Sequence, residues 1–185
     1  MNDSIFFRRQ SKRAFADRAI PDAALTRIYE KIRWSPSCNN NQPWRFVFVF
    51  DKEKRAQFVT ALATGNHWAA AAPALIAVCA RPADDHTRTD DPVMYYQFDC
   101  GLAVMSLLLA ATEEGLMTHP MAGYDAAKLH QVLDIPDEYH VLCVIAMGYP
   151  GSIQQLDERT RKKDEAPRTR KALSEIIAKD RFSFA

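Results

Sequence analysis

Residues 34–46 read W-S-P-S-C-N-N-N-Q-P-W-R-F, a polar loop with two prolines between a helix-like stretch and a strand-like one. A helix-to-strand connection usually takes about 2–6 residues. This one is longer and carries Ser37, Asn39, Asn40, Asn41 and Gln42, whose amides and hydroxyl can bond a polar ligand. Such side chains also turn back onto their own backbone, and for the loop in isolation that is the better reading. Upstream, Pro21 suits the first turn of a helix running to about residue 34. Leu25, Ile28, Tyr29 and Ile32 recur at helical spacing and mark its buried face. Downstream, 45–50 (R-F-V-F-V-F) is β-branched and aromatic and predicts a strand.

The same reading extends outward. A short helix over 4–10 turns Ile5 and Phe6 inward. Asp51 caps a helix over about 52–63, which Gly65 and Asn66 end, and His67 and Trp68 form a link. Residues 74–80 (A-L-I-A-V-C-A) are apolar on both faces and predict a central strand. The long helix at 93–116 has Ser106 as its only polar side chain between 101 and 111. A helix apolar all round is covered on all sides, and in a short chain that calls for a second subunit. Residues 117–124 read as a loop holding Pro120 and Gly123, with His119 structural rather than an acid. Asp125 caps a helix to about 133, and 139–149 is a third strand. A short helix follows at 172–177, and Phe182 and Phe184 are expected to dock onto a neighbour. Three strands and about six helices make an α+β chain.

At 185 residues, 48% hydrophobic and 25% charged, the chain is expected to form a single domain over 1–185. A net charge of +1 gives no field for nucleic acid or a membrane surface. Cys38, Cys79, Cys100 and Cys143 are dispersed, form no C-x-x-C pair and read as reduced. With no signal-like or membrane-length apolar stretch, a cytoplasmic location is expected. The 81–92 segment holds Asp84, Asp85, His86, Asp90 and Asp91, matches no metal-ligand spacing and reads as a mobile solvated loop. No dinucleotide fingerprint, Walker loop, H-E-x-x-H or G-x-S-x-G occurs.

Two basic clusters remain: R-R-Q-S-K-R at 8–13 and R-T-R at 168–170. Either is ordinarily a solvated surface. Guanidinium forks beside a hydroxyl also match phosphate oxygens, and one phosphate is enough to use them.

Taken together these stretches resemble the FMN-dependent nitroreductases. The resemblance rests on R-R-Q-S-K-R-A-F, W-S-P-S-C-N-N-N-Q-P-W-R-F, Gly65-Asn66, H-P-M-A-G-Y at 119–124 and the late R-T-R, in the family's order. It implies a three-layer α/β/α fold, a mixed but mainly antiparallel sheet, and an intertwined homodimer with FMN at the seam. Arg9, Gln10, Ser11 and Arg13 then stand at the cofactor, the arginines toward phosphate and the pyrimidine edge, with Arg13 at N1/O2. Arg168 and Arg170 add cations at the phosphate. Pro36, Ser37, Cys38 and Asn40 reach across the interface, and Asn66 bonds the ring system. Met121, Ala122 and Gly123 lie against N5 and O4. Gln10 stands where an Arg or His is common, and Ala122 replaces a Glu or Gly. The implied activity passes hydride from NADH or NADPH through flavin N5 to nitroaromatics, quinones or related electrophiles in a ping-pong cycle. The alternatives are a flavin-sequestering protein, or a specialised dehydrogenase, dehalogenase or flavin-consuming enzyme.

Overall fold

The computed structural model describes residues 3–86, 90 and 92–184. Along the chain come α1 (Ile5–Arg8), α2 (Asp22–Arg33), β1 (Arg45–Val49), α3 (Lys52–Val59), β2 (Ala74–Ala80), α4 (Tyr95–Glu113), β3 (Met117–Met121), α5 (Ala126–Leu133), β4 (His140–Gly148) and α6 (Glu158–Glu165). The strands form one sheet in the order β1-β2-β4-β3, and each of its three pairings is antiparallel. The fold is α+β in three layers.

Alternation along the strands explains the layers. On β2, Ala74, Ile76, Val78 and Ala80 pack with Ile28 and Ile32 of α2 and Ala103 and Leu107 of α4. Its other face, Leu75, Ala77 and Cys79, packs with Phe58 of α3, Leu129 of α5 and Ala69. All seven β2 residues are buried, as its apolar run required. α3 and α5 start where Asp51 and Asp125 accept the backbone N–H groups of Lys54 and Lys128, at 2.7 and 3.1 Å. α4 ends at Gly115, whose φ of +73° lies in the left-handed region.

Several expectations change. Residues 117–121 form a fourth strand rather than a loop. Pro120 concealed it, yet among the described residues β3 pairs only with β4 and is an edge, where proline is tolerated. Phe6 does not turn inward: Phe6 and Phe7 are 59% and 60% exposed, because a four-residue helix has only one narrow packed side. Tyr29 is half-exposed and rests edge-on against Phe48, ring centroids 4.8 Å apart. The 172–177 helix is a single 3-10 turn, Leu173–Glu175. Phe182 and Phe184 meet each other edge-on at 4.9 Å, and Phe182 is exposed. Of the 81–92 segment, the described part is tied down: Arg81 pairs with Asp84 at 2.9 Å, and Asp85 accepts the N–H of Tyr96 at 2.9 Å. Residues 87–89 and 91 lie outside the described residues.

One close approach positions the basic stretch. Gly151 donates to the carbonyl of Ala14 at 2.9 Å, and Ala16 donates to that of Tyr149 at 2.9 Å. A Cβ on Gly151 would lie 2.3 Å from the carbonyl carbon of Phe15. Only glycine lets the two backbones meet there, and residues 8–13 are thereby held beside the exit of β4.

Candidate functional site

Just before this junction, Arg13 is held by a residue from the far end of the chain. Asp164 of α6 accepts the Arg13 backbone N–H through Oδ2 at 2.7 Å. Its Oδ1 accepts Nη1 of Arg13, also at 2.7 Å. The Asp164 side chain is fully buried, and Lys12 Nζ donates to the Asp164 carbonyl. α6 itself begins at Asp157, which accepts the N–H of Thr160 at 3.0 Å. The Arg13 guanidinium lies over Trp68, 5.7 Å from the ring centre.

Trp68 also meets His119, with ring centroids 4.6 Å apart. His119 Nδ1 is 3.1 Å from the carbonyl of Lys12. A carbonyl only accepts, so Nδ1 carries the hydrogen and Nε2 the lone pair. Burial first, then the neighbouring Arg13 cation, push the His119 pKa down to about 4. The ring is neutral near pH 7 and serves as a brace, in line with its structural reading.

Arg9 precedes this clamp and is half-buried, as is Gln10. Arg9 Nη1 donates to Ser11 Oγ at 3.3 Å. Beyond α6 the tail returns to the same place, where Arg168 Nη1 donates to the carbonyl of Phe7 at 2.6 Å. Arg170 Nη1 is bound to the carbonyl of Thr169 at 2.6 Å. Burial, then Arg168, then Arg170, lower the proton affinity of Arg9. Among the described residues no carboxylate pairs with these three arginines. Two clusters from opposite ends of the sequence thus make one uncompensated cationic patch, which calls for an anion.

A second pair of expected residues also meets. Asn66 Nδ2 and the Ala63 backbone N–H both donate to the carbonyl of Gly123 at 3.0 Å. A Cβ on Gly123 would come within 2.9 Å of Asn66 Nδ2, so the bare position admits the amide. Met121 is buried at the end of β3, and Ala122 is exposed beside it.

The 36–42 loop behaves differently. Ser37 Oγ accepts the Gln42 N–H at 3.0 Å, and Gln42 Nε2 donates to Asn40 Oδ1 at 3.1 Å. Asn39, Asn40 and Gln42 have φ of 49°, 58° and 49°, where asparagine is tolerated better than most residues. The Cys38 N–H donates to the buried Asp99 of α4 at 3.0 Å. Asn39 Nδ2 donates to Nδ1 of His86 at 2.9 Å. Within one chain the loop bonds to itself, to Asp99 and to His86, and its described bonds reach neither Arg9, Asn66 nor Gly123. Among the described residues, Pro36, Ser37, Cys38 and Asn40 share no hydrogen bond with the cationic patch.

Reasoning from sequence missed Asp164 and Asp99. Asp164 sits in E-R-T-R-K-K-D-E, where nothing local marks one acid as buried. Asp99 did carry a signal, as the only carboxylate inside the apolar α4 before its last turn. A cleft of about 420 Å³ opens between the 64–71 segment and α6, past Trp68. Arg9, Arg168 and Gly123 do not line it, so it is separate from the patch. Among the described residues no group of His, Cys, Asp or Glu is placed to hold a metal ion, and no helix is long and apolar enough to cross a membrane.

Known proteins bear on this geometry. The profile described as "Nitroreductase family" matches residues 7–67 and 60–149. A protein of Archaeoglobus fulgidus named "Putative NADH dehydrogenase/NAD(P)H nitroreductase" is 31% identical over 150 residues, covering 79% of this chain and 83% of its own. A similarly named protein of Stenotrophomonas maltophilia is 28% identical over 166 residues, covering 80% of this chain and 84% of its own. A solved structure of "the oxidoreductase containing FMN" superposes with a TM-score of 0.89 at 32% identity, covering all of this chain and 94% of that one.

Proposed function

This chain belongs to the nitroreductase family, and from that premise we propose that it is an FMN-dependent oxidoreductase. It draws on NADH or NADPH and reduces nitroaromatics, quinones or related conjugated electrophiles. One observation carries the reading: Arg9, Arg168 and Arg170 converge, and among the described residues no carboxylate pairs with them. A mononucleotide phosphate is a dianion of the size such a trio takes, and each guanidinium can fork onto two of its oxygens.

The remaining residues fit the rest of FMN. Ser11 and Gln10 lie beside Arg9, Arg13 is fixed a few residues on, and Asn66 meets the 121–123 backbone. When bound, FMN would supply the two-electron redox chemistry, taking electrons from the nicotinamide and passing them on to the oxidant. The chain's part is to bind and orient. The backbone N–H groups at Ala122 and Gly123 would orient hydrogen bonding at the ring, and Arg13, its charge partly offset by Asp164, would favour negative charge there. Among the described residues no side chain is placed as acid or base. His119 is neutral with Nδ1 committed to Lys12, so solvent supplies the proton.

The unit is a homodimer in this reading. Phe98 on α4 is 62% exposed, and Phe6, Phe7, Leu173, Ile176 and Ile177 add further bare apolar surface. A monomer rarely leaves so much uncovered. A second copy covers it, and brings the partner's loop carrying Pro36, Ser37, Cys38 and Asn40 to the cofactor.

Anaerobic stopped-flow mixing tests the proposal. Purified protein takes up FMN and turns yellow, NADH or NADPH bleaches it, and a quinone restores the colour. Protein that gains no flavin absorbance sinks the cofactor assignment. Bound flavin that neither nicotinamide bleaches leaves a sequestering protein in its place.

A further inference from the structure

An anion site does not call for a carboxylate, yet Asp164 is buried among Lys12, Arg13, Trp68 and His119. Both carboxylate oxygens are used, one by the Arg13 backbone N–H and one by its guanidinium, each at 2.7 Å. The geometry has two consequences. The backbone of the basic stretch is pinned to α6 at Arg13, while Lys12 is pinned from the other side by the His119 ring. The guanidinium is held through Nη1 against Trp68, while Nε and Nη2 have no hydrogen-bond partner among the described residues. Arg13 is thus oriented with two donors in reserve and with its charge largely offset. For stability alone a buried ion pair gains little over apolar packing of the same shape, and removing one partner is costly. A role in setting the field at the site accounts for its presence.

We propose that Asp164 is a positioning residue for the flavin site: it fixes the Arg13 fork and, by offsetting its charge, holds the cofactor's reduction potential below the value a bare arginine would give. The proposal rests on the FMN reading. A cation beside the ring stabilises the electron-rich reduced form more than the oxidised one. A carboxylate paired with that cation cancels most of the preference.

The test uses FMN-loaded wild type, Asp164→Asn and the charge-neutral double variant Arg13→Gln/Asp164→Asn. The asparagine keeps an acceptor for the Arg13 N–H and removes the charge. Midpoint potentials are read by anaerobic equilibration with reference dyes, alongside the dissociation constant of oxidised FMN from its fluorescence. In Asp164→Asn, reduced FMN gains affinity about tenfold relative to oxidised FMN, a rise of about 30 mV for a two-electron couple. The double variant binds both forms of FMN more weakly, but its ratio of reduced to oxidised affinity, and so its potential, stays within about twofold of wild type. Folded, loaded Asp164→Asn with the wild-type potential overturns the proposal. If Asp164→Asn does not fold, the double variant decides, because it buries no lone charge; a tenfold shift in it overturns the proposal. Wild type that binds no FMN would overturn the cofactor reading before any variant is measured.

Discussion

Replacing Arg168 and Arg170 together by alanine separates an anion site from an ordinary basic surface. Without ligand, Arg9, Arg168 and Arg170 repel one another, and Arg9 already holds its proton less firmly through burial and these two neighbours. The double substitution removes that repulsion, so the ligand-free protein should lose no thermal stability beyond the bonds from Arg168 to the Phe7 carbonyl and from Arg170 to the Thr169 carbonyl. Phosphate binding moves the opposite way. A hydrogen bond to a charged group contributes about 1.5–3 kcal/mol, and screening cuts exposed pairs to about 1 kcal/mol or less. A dianion held by two forks at a half-exposed site falls between, so two arginines contribute about 2–3 kcal/mol. That is a rise in the FMN dissociation constant of roughly 30- to 150-fold. Quenching of flavin fluorescence measures it, with riboflavin as the control that lacks the phosphate. Riboflavin affinity should hardly change. Equal losses for FMN and riboflavin, or an FMN loss under about threefold, would refute the convergence of the two clusters on one phosphate.

The other expectations concern stability and assembly. Gly151→Ala places a methyl 2.3 Å from the Phe15 carbonyl carbon, so a chemical melt should show a loss at or above about 1–3 kcal/mol; Gly65→Ala, with nothing within 4 Å, should lose less. Folding depresses the His119 pKa from 6.5 to about 4. The unfolded chain therefore binds the extra proton, and stability present above pH 6.5 should fall by roughly 3 kcal/mol as pH drops toward 4. His119→Gln should flatten that slope in urea titrations run across the range. Phe98→Asp puts a charge on the exposed face of α4 and should convert the proposed dimer to monomer by sedimentation velocity; a variant that stays dimeric and binds FMN normally would place the seam elsewhere.

The layers were legible because their signals are local. A seven-residue run of apolar side chains bounded by turn signals marks a covered strand, and β2 has every position buried. Aspartates before helical runs marked α3 and α5 correctly. β3 was not legible, because proline and glycine are turn formers by default. What makes Pro120 tolerable is that its side of the sheet has no further strand, a property of the assembled sheet. Phe6 was misjudged for a related reason: inward and outward have no fixed meaning on a four-residue helix until something packs against it.

The candidate site shows where sequence reasoning stops. Each basic cluster was visible, and each by itself was better explained as solvated surface. Their meeting depends on contacts that no window contains: Arg13 to Asp164 across 151 residues, and Arg168 to Phe7 across 161. The first of these contacts enables the second. By anchoring Arg13 to α6, Asp164 ties the start of the 166–170 tail to the end of the 9–13 stretch. The tail is then only a few residues from the clamp when it delivers Arg168 and Arg170 beside Arg9. Folding thus gathers three like charges by means of one buried opposite charge. Asp164→Asn, which keeps an acceptor for the Arg13 N–H, should shift the potential and spare most of the FMN phosphate contact, whereas the tail substitutions should weaken the contact and leave the potential nearly unchanged. A variant set in which both effects always moved together would show that the clamp and the cationic trio are one unit, and would refute the division of labour between them.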